Sequence, residues 1–477
     1  MARIGRTLSG RLLRAWKPDA ATFDDENLVS AAGLVPVLAL AEQTQLPDLV
    51  DAHVRFDSER IVSAAANPVG KIMSIIAGML TGADSIADLQ IIRSGGSQKL
   101  FGAVYAPSTL GMFLREFTHG HTRQLAAVLA RHLLALATRT KVLAGIEVQA
   151  FIDIDSLLRP VYGHAKQGAS FGHTKIANRQ VLRKGLSPLV TTISTRTAAP
   201  VIAGVRLRAG KAGSGRGAAS MVTEAINLAI AAGATTANLL IRGDSAYGYS
   251  DVIAAVLRAG AKFSFVLTKN KAVNRAIGAI PADAWTPVRY PGAVQDPDTG
   301  QWISDAEVAE INYTVLAGTG KAITARLIVR RVKDRNHLDQ LFPVWRYHPF
   351  FTNSTETVTD ADITHRQHAI IESVFADLID GPWAHQPSGH FPANCAWTIL
   401  GALAHNLLRA AGTIIDTAHA VARGATLRRR VVNVPARIAR PQGRRILHLP
   451  THHPHQHQWK QLWDNAFNHQ HRQSPAA

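Results

Sequence analysis

The 477-residue chain holds one cysteine, Cys395. A single thiol excludes an intramolecular disulfide and any multi-cysteine zinc site, and it fits a reducing compartment. Acids are scarce: 34 Asp and Glu face 52 Lys and Arg, a formal net charge of +18 before any of the 21 histidines is counted. Only 6% of residues are aromatic and 18% charged, yet 47% are hydrophobic, which excludes an unfolded polycation. At roughly 100–200 residues per domain the chain should form two to four packed units, with the positive charge on a folded surface. Such a surface suits a polyanionic partner, and nucleic acid suits it better than an anionic membrane. Long apolar runs are also missing. The best candidate, residues 28–41, spans 14 residues and is interrupted by Pro36, against about 20 for a membrane-crossing helix. The opening Met1-Ala-Arg-Ile-Gly-Arg lacks the apolar stretch and cleavage site of a secretion signal, so a cytoplasmic location is expected.

Apolar residues recur at three- and four-residue steps through much of 28–137, as in Val69-Gly-Lys-Ile-Met-Ser-Ile-Ile-Ala-Gly-Met-Leu, which predicts a helical unit over 1–140. Ser108 is the expected N-cap of a helix over 108–117, and a further helix is expected over 122–140. The period then changes. Val148-Gln-Ala-Phe-Ile-Asp-Ile-Asp alternates and reads as a strand, 188–195 and 201–207 read as two more, and a basic glycine-rich loop at 209–217 opens a helix. Strand 237–243, helix 250–259 and strand 262–268 complete the order βββαβαβ over 141–279, which calls for a mixed five-stranded sheet covered by helices. Segment 280–360 carries β-rich runs at 312–316, 322–332 and 345–352 and reads as an insertion. Helices return in 361–420. Residues 421–477 hold ten Lys and Arg against one acid, Asp464, and are punctuated by proline, which predicts a partly ordered basic arm.

Asp153 and Asp155 are two apart on a strand and share a face, where an acidic pair is costly unless a cation or water satisfies it. Asp244 ends the apolar strand Leu239-Leu-Ile-Arg-Gly, the carboxyl end at which open α/β sheets place their chemistry. Glu372 flanks the apolar stripe of Ile370, Ile371, Val374, Phe375 and Leu378. Carboxylate oxygens suit hard divalent ions, and two such ions about 3.5–4 Å apart serve phosphoryl transfer. Taken singly, Asp244 reads equally as a turn former and Glu372 as a solvated helix residue, and an Asp-x-Asp pair also occurs in metal-dependent glycosyltransferases.

Asp153-Ile-Asp-Ser-Leu-Leu-Arg-Pro-Val-Tyr-Gly-His, Arg242-Gly-Asp-Ser-Ala-Tyr and His365-Arg-Gln-His-Ala-Ile-Ile-Glu together resemble the DDE transposases of bacterial insertion sequences, more narrowly the thirteen-eighty group. The likeness runs from about residue 70 to about 449 and includes Ala106-Pro-Ser-Thr-Leu-Gly, Arg216-Gly-Ala-Ala and Val434-Pro-Ala-Arg-Ile-Ala-Arg. The resemblance implies a ribonuclease-H-like core interrupted by the β-rich insertion before the last catalytic helix, with the N-terminal helices serving DNA binding or assembly. It also implies two Mg²⁺ or Mn²⁺ ions, cleavage and strand transfer at insertion-sequence ends in double-stranded DNA, and a homodimer on DNA at the bacterial nucleoid. Asp244 matches the second acid and Glu372 the third. The first match lies between Asp153 and Asp155; the eight-residue distance to Gly163 and the position nearer the strand's carboxyl end favour Asp155. Relatives carry Tyr, Arg, Glu and Lys around the third acid, where this chain has His365, His368, Glu372 and Ile379. Ile379 removes one phosphate contact, and an inactive DNA-binding descendant is the alternative this raises.

Lys211 and Arg216, among the glycines of 209–217, are candidate DNA-backbone contacts, although the spacing fails the P-loop pattern and a simple connecting loop is the rival reading. Trp345 and Arg346 lie in the insertion, where the resemblance places contact with the element end; core packing is the alternative for Trp345. His365, Arg366 and His368, with Arg428, Arg429 and Arg430 of the arm, complete the candidate DNA contacts. His452, His453, His455 and His457 resemble a chelating tract, but in a basic, proline-rich context they read better as a solvated or phosphate-facing segment.

Overall fold

The computed structural model describes residues 20–56, 63–102, 104–176, 179–290, 293–300, 302–334 and 344–467. The first helices are α1 (Leu34–Gln43), α2 (Leu46–His53), α3 (Pro68–Thr81), α4 (Pro107–Arg115) and α5 (His119–Arg139). Each start has a local cause. The Asn67 side chain accepts from the Gly70 N–H ahead of α3, and Thr118 and His121 cap α5 reciprocally. At α4 the expected Ser108 cap is not formed, because Pro107 occupies the first turn, where its missing N–H costs nothing, and Ala106 is the cap.

Strand β1 (Ala150–Ser156) is central. It pairs antiparallel with β2 (Arg179–Thr195), which pairs antiparallel with β3 (Val201–Ala209). On its other side β1 pairs parallel with β4 (Leu239–Gly243), and β4 pairs parallel with β5 (Lys262–Val266). These five strands therefore lie in the order third, second, first, fourth, fifth, with α6 (Ala218–Ala231) and α7 (Ser250–Arg258) as the crossover helices. Only 188–195 of β2 was expected from the sequence; the polar first half pairs with Ser170–Ile176 in an outlying hairpin.

The insertion continues the same sheet. Strands β6 (Ala306–Val315), β7 (Ile323–Lys333) and β8 (Trp345–Thr352) form a meander whose last strand pairs antiparallel with β5. The chain then enters α8 (Val358–Arg366), a short 3-10 turn, α9 (Ile371–Ile379) and α10 (Phe391–Thr413). Helix α10 is buried over most of its 23 residues and packs on α3, α5 and β3. Its Asn406 amide accepts from the Ile202 N–H and donates to the Ile202 carbonyl, at 2.8 and 2.9 Å, beside a register shift between β2 and β3. One apolar core thus runs continuously from the first helices through the sheet to α10.

The segment expected as a partly ordered basic arm is folded over its described residues, up to 467. Ala436–Ala439 pairs with Leu28–Val29 and with Ile446–His448, and α11 (Gln456–Phe467) packs on α1. Trp459, Leu462 and Ala466 are buried at helical spacing, and that apolar stripe outweighs the surrounding charge. Among the described residues no helix is long and apolar enough to cross a membrane.

Candidate active site

Parallel pairing of Ile154 with Gly243 sets Asp155 and Asp244 side by side, each one residue beyond the last rung at the carboxyl ends of β1 and β4. Glu372 stands in the first turn of α9, a helix that packs against β1. Asp244 and Glu372 both act on Asp155. Asp155 is half-buried and pushed up to about 7, first by burial and then by repulsion from Asp244, Glu372 and Asp153, against the pull of the Ser156 N–H at 2.6 Å. Asp244 and Glu372 are exposed, and the Ala246 N–H donates to Asp244 Oδ1 at 2.8 Å, fixing the turn after β4.

Asp153 has a different place. Arg242, its direct neighbour on β4, donates from Nε and Nη2 to the two carboxylate oxygens at 2.7 and 2.8 Å, and each side chain is 1% exposed. Arg242 also stacks on Phe151 at 4.2 Å and donates to the Thr364 carbonyl of α8 at 2.8 Å. Burial pushes the Asp153 carboxyl up and Arg242 opposes it. Both Asp153 oxygens are thus engaged by Arg242, whereas Asp155 feels the charges of Asp244 and Glu372. Arg242 was within reach of sequence reasoning, since a lone cation inside an apolar strand demands a buried partner. Tyr247, buried behind the acids, donates to Ser156 Oγ at 2.7 Å and braces the end of β1.

Among the described residues no group of three or more His, Cys, Asp or Glu is gathered closely enough to hold a metal ion as it stands. The donor chemistry nevertheless fits a hard divalent cation: Asp155, Asp244 and Glu372 supply oxygen only, and their mutual repulsion is what a cation between them would relieve.

The remaining sequence candidates separate. Lys211 and Arg216 are exposed, but their loop is fastened down. Arg208, buried, donates to the carbonyls of Gly213, Ser214 and Arg216 at 3.3, 2.9 and 3.1 Å. A Cβ on Gly215 would lie 2.3 Å from the Tyr249 hydroxyl, so glycine there serves close packing. The loop carbonyls point inward and the two cations outward. Trp345 is half-buried with Arg331 over its ring at 4.4 Å, so one face is already covered by a cation. Arg346 is exposed and lies 3.8 Å from Asp334. His365 is not a surface contact: it is buried, stacked on Phe350 at 4.1 Å and hydrogen-bonded to Ser264 at 2.8 Å. Burial, then the charges of His368, Arg242 and Arg330, hold its ring well below the usual histidine range. His368 is half-buried and its Nδ1 lies 2.6 Å from the His365 carbonyl; Arg366 lies 3.2 Å from Asp362. Arg428 donates to the Asp380 carbonyl at 2.8 Å, Arg430 is half-buried, and Arg429 is exposed. His453 and His455 bond locally, the His455 N–H donating to His453 Nδ1 at 3.2 Å.

The mixed sheet carries Asp155 and Asp244 at one end, with Glu372 on a helix packed against β1, in a strongly basic chain. The chain matches the family Transposase DDE domain group 1 over residues 17–470 and belongs to that family. Among solved structures it is similar to one described as the piggyBac transposase synaptic complex with hairpin DNA, at 10% identity, covering 83% of this chain and 79% of that one, with a TM-score of 0.44. No curated protein matches.

Proposed function

We propose that this transposase binds the ends of its own insertion sequence, cleaves the DNA strand by attack of water, and joins the freed 3′-hydroxyl to a second phosphodiester. The observation that carries the reading is the register that sets Asp155 beside Asp244, with Glu372 raising Asp155 from the facing helix. The strand order, with the second strand antiparallel, supports a ribonuclease-H-like core. Asp155, Asp244 and Glu372 would hold Mg²⁺ or Mn²⁺, two ions in all. Bound cations would activate the attacking oxygen and stabilise the departing one. Both reactions are substitutions at phosphorus, each forming one P–O bond and breaking another, so a single site serves both in turn.

Around that site the chain's own residues do the positioning. Arg242 holds β1 and β4 together through Asp153 and reaches α8, which leads to the helix carrying Glu372. Lys211, Arg216, Arg346 and Arg429, all exposed, with half-buried Arg366 and His368, would meet phosphate. Membership of the thirteen-eighty group, a homodimer on DNA and a bacterial cytoplasmic, nucleoid-associated location are parts of the same proposal. Ile379 packs at the edge of the core, which leaves phosphate binding to other positions. Titration of Mn²⁺ into metal-free protein tests the reading: binding is expected in the wild type and in Lys211→Gln, and not in Asp244→Asn. Undiminished binding in Asp244→Asn contradicts the assignment.

A further inference from the structure

A cavity of about 410 Å³ opens between the meander and α8. Its floor is one sheet face: cross-strand pairing sets Arg330 against His348 and Val332 against Arg346, so Arg330, His348 and Arg346 stand on that face with Phe350. Lys269, beyond the end of β5, and Arg366 of α8 close its sides. The one acid lining it among the described residues is Asp362, 3.8 Å from Arg330 and 3.2 Å from Arg366.

The acids do not match this charge: Asp362 meets Arg330 and Arg366, and Asp334 meets Arg346 at 3.8 Å, so two carboxylates face four fixed cations. Arg330 Nε is buried and donates no hydrogen bond, whereas Arg366 Nε has Asp362 beside it at 3.2 Å. A buried unused donor is costly, and an acceptor from outside would recover the loss. The field is felt locally: partial burial, then Arg330, Lys269 and Arg346, holds His348 below the usual histidine range. Arginine forks match the oxygens of phosphate. The cavity also borders the candidate active site, since His368 lines it and lies four residues before Glu372.

We propose that this cavity is a phosphate subsite that holds one backbone phosphate of a DNA strand running beside the three acids, an inference that rests on the transposase reading above. Arg330 and Lys269 are its principal donors, and strands of the meander supply the floor. The meander is thereby a wall of the substrate channel as well as an extension of the sheet.

The test measures affinity for a labelled 30-bp duplex of arbitrary sequence across a range of KCl, with binding of inorganic phosphate followed by calorimetry. Lys269→Gln, an exposed change, and Arg330→Gln are each expected to flatten the slope of log affinity against log salt by about 0.9, the value of one phosphate contact. Arg330→Lys, which keeps the charge, should retain most of the slope and guards against a folding effect. Unchanged slopes in both glutamine variants overturn the proposal. Loss of inorganic phosphate binding with no change in slope also overturns it, because the cavity would then be a small-anion site. Failure of the wild type to nick DNA that carries the element ends with Mn²⁺ would overturn the cleavage reading itself; failure confined to these variants' slopes overturns the subsite alone.

Discussion

Arg242 lies beside Asp153 in the parallel register of the two central strands and grips both carboxylate oxygens, while Asp155, two residues on, is left to face Asp244 and Glu372. The two aspartates thus share a strand face in different surroundings. Breaking a buried ion pair strands a charge at a cost of about 3–5 kcal/mol. Arg242→Met should lower unfolding stability in guanidinium by about that much, and the double variant Arg242→Met, Asp153→Leu should recover part of it. Equal stability of Arg242→Met and wild type would remove the structural role. Asp155→Asn, by contrast, should leave stability unchanged or raised.

The C-terminal segment separates stability from DNA contact. Trp459 is buried against α1 and stacks on Trp463 at 5.3 Å, so Trp459→Ala should cost about 3 kcal/mol in chemical denaturation. Arg429, exposed, should leave the denaturation curve unmoved when changed to Gln while flattening the salt slope for duplex DNA by about 0.9. Truncation at Ala422 would confound the two effects, because it removes a strand of the Leu28–Val29 sheet and the whole of α11.

Acid lability should have an identifiable source. His132 is buried in α5, its Nε2 2.9 Å from Thr44 Oγ1, and burial lowers it to about 3. The folded ring stays neutral while the unfolded ring protonates below about 6.5, so its stabilising contribution is complete above pH 6.5 and is lost as pH falls toward 3. Between pH 6.5 and 4 the wild type should lose about 3 kcal/mol more than His132→Gln in urea unfolding. Parallel pH profiles for the two proteins would contradict this.

The strands at 150–156, 201–209, 239–243 and 262–266 and the helices between them were legible because each carries its own period, while Ser170–Ile176 was not, and Asp155, Asp244 and Glu372 stood out at strand and helix ends. What could not be read depends on partners distant in sequence. The division between Asp153 and Asp155 follows from Arg242, 89 residues away, and from a pairing register that periodicity does not encode. Nothing local says that the meander joins the edge of β5, or that His365 turns inward onto Phe350. The C-terminal helix was partly visible: Trp459, Leu462 and Ala466 keep a helical spacing, masked by the histidines and prolines before them.

The three acids themselves are tested most directly by metal-dependent nicking of a supercoiled plasmid that carries the DNA flanking the gene. Wild-type protein with Mn²⁺ should open the circle, and Asp155→Asn, Asp244→Asn and Glu372→Gln should each fall to the level of the no-protein control while keeping wild-type affinity for the same DNA. Cleavage at the wild-type rate by Asp155→Asn or Glu372→Gln would show that the chemistry lies elsewhere in the molecule.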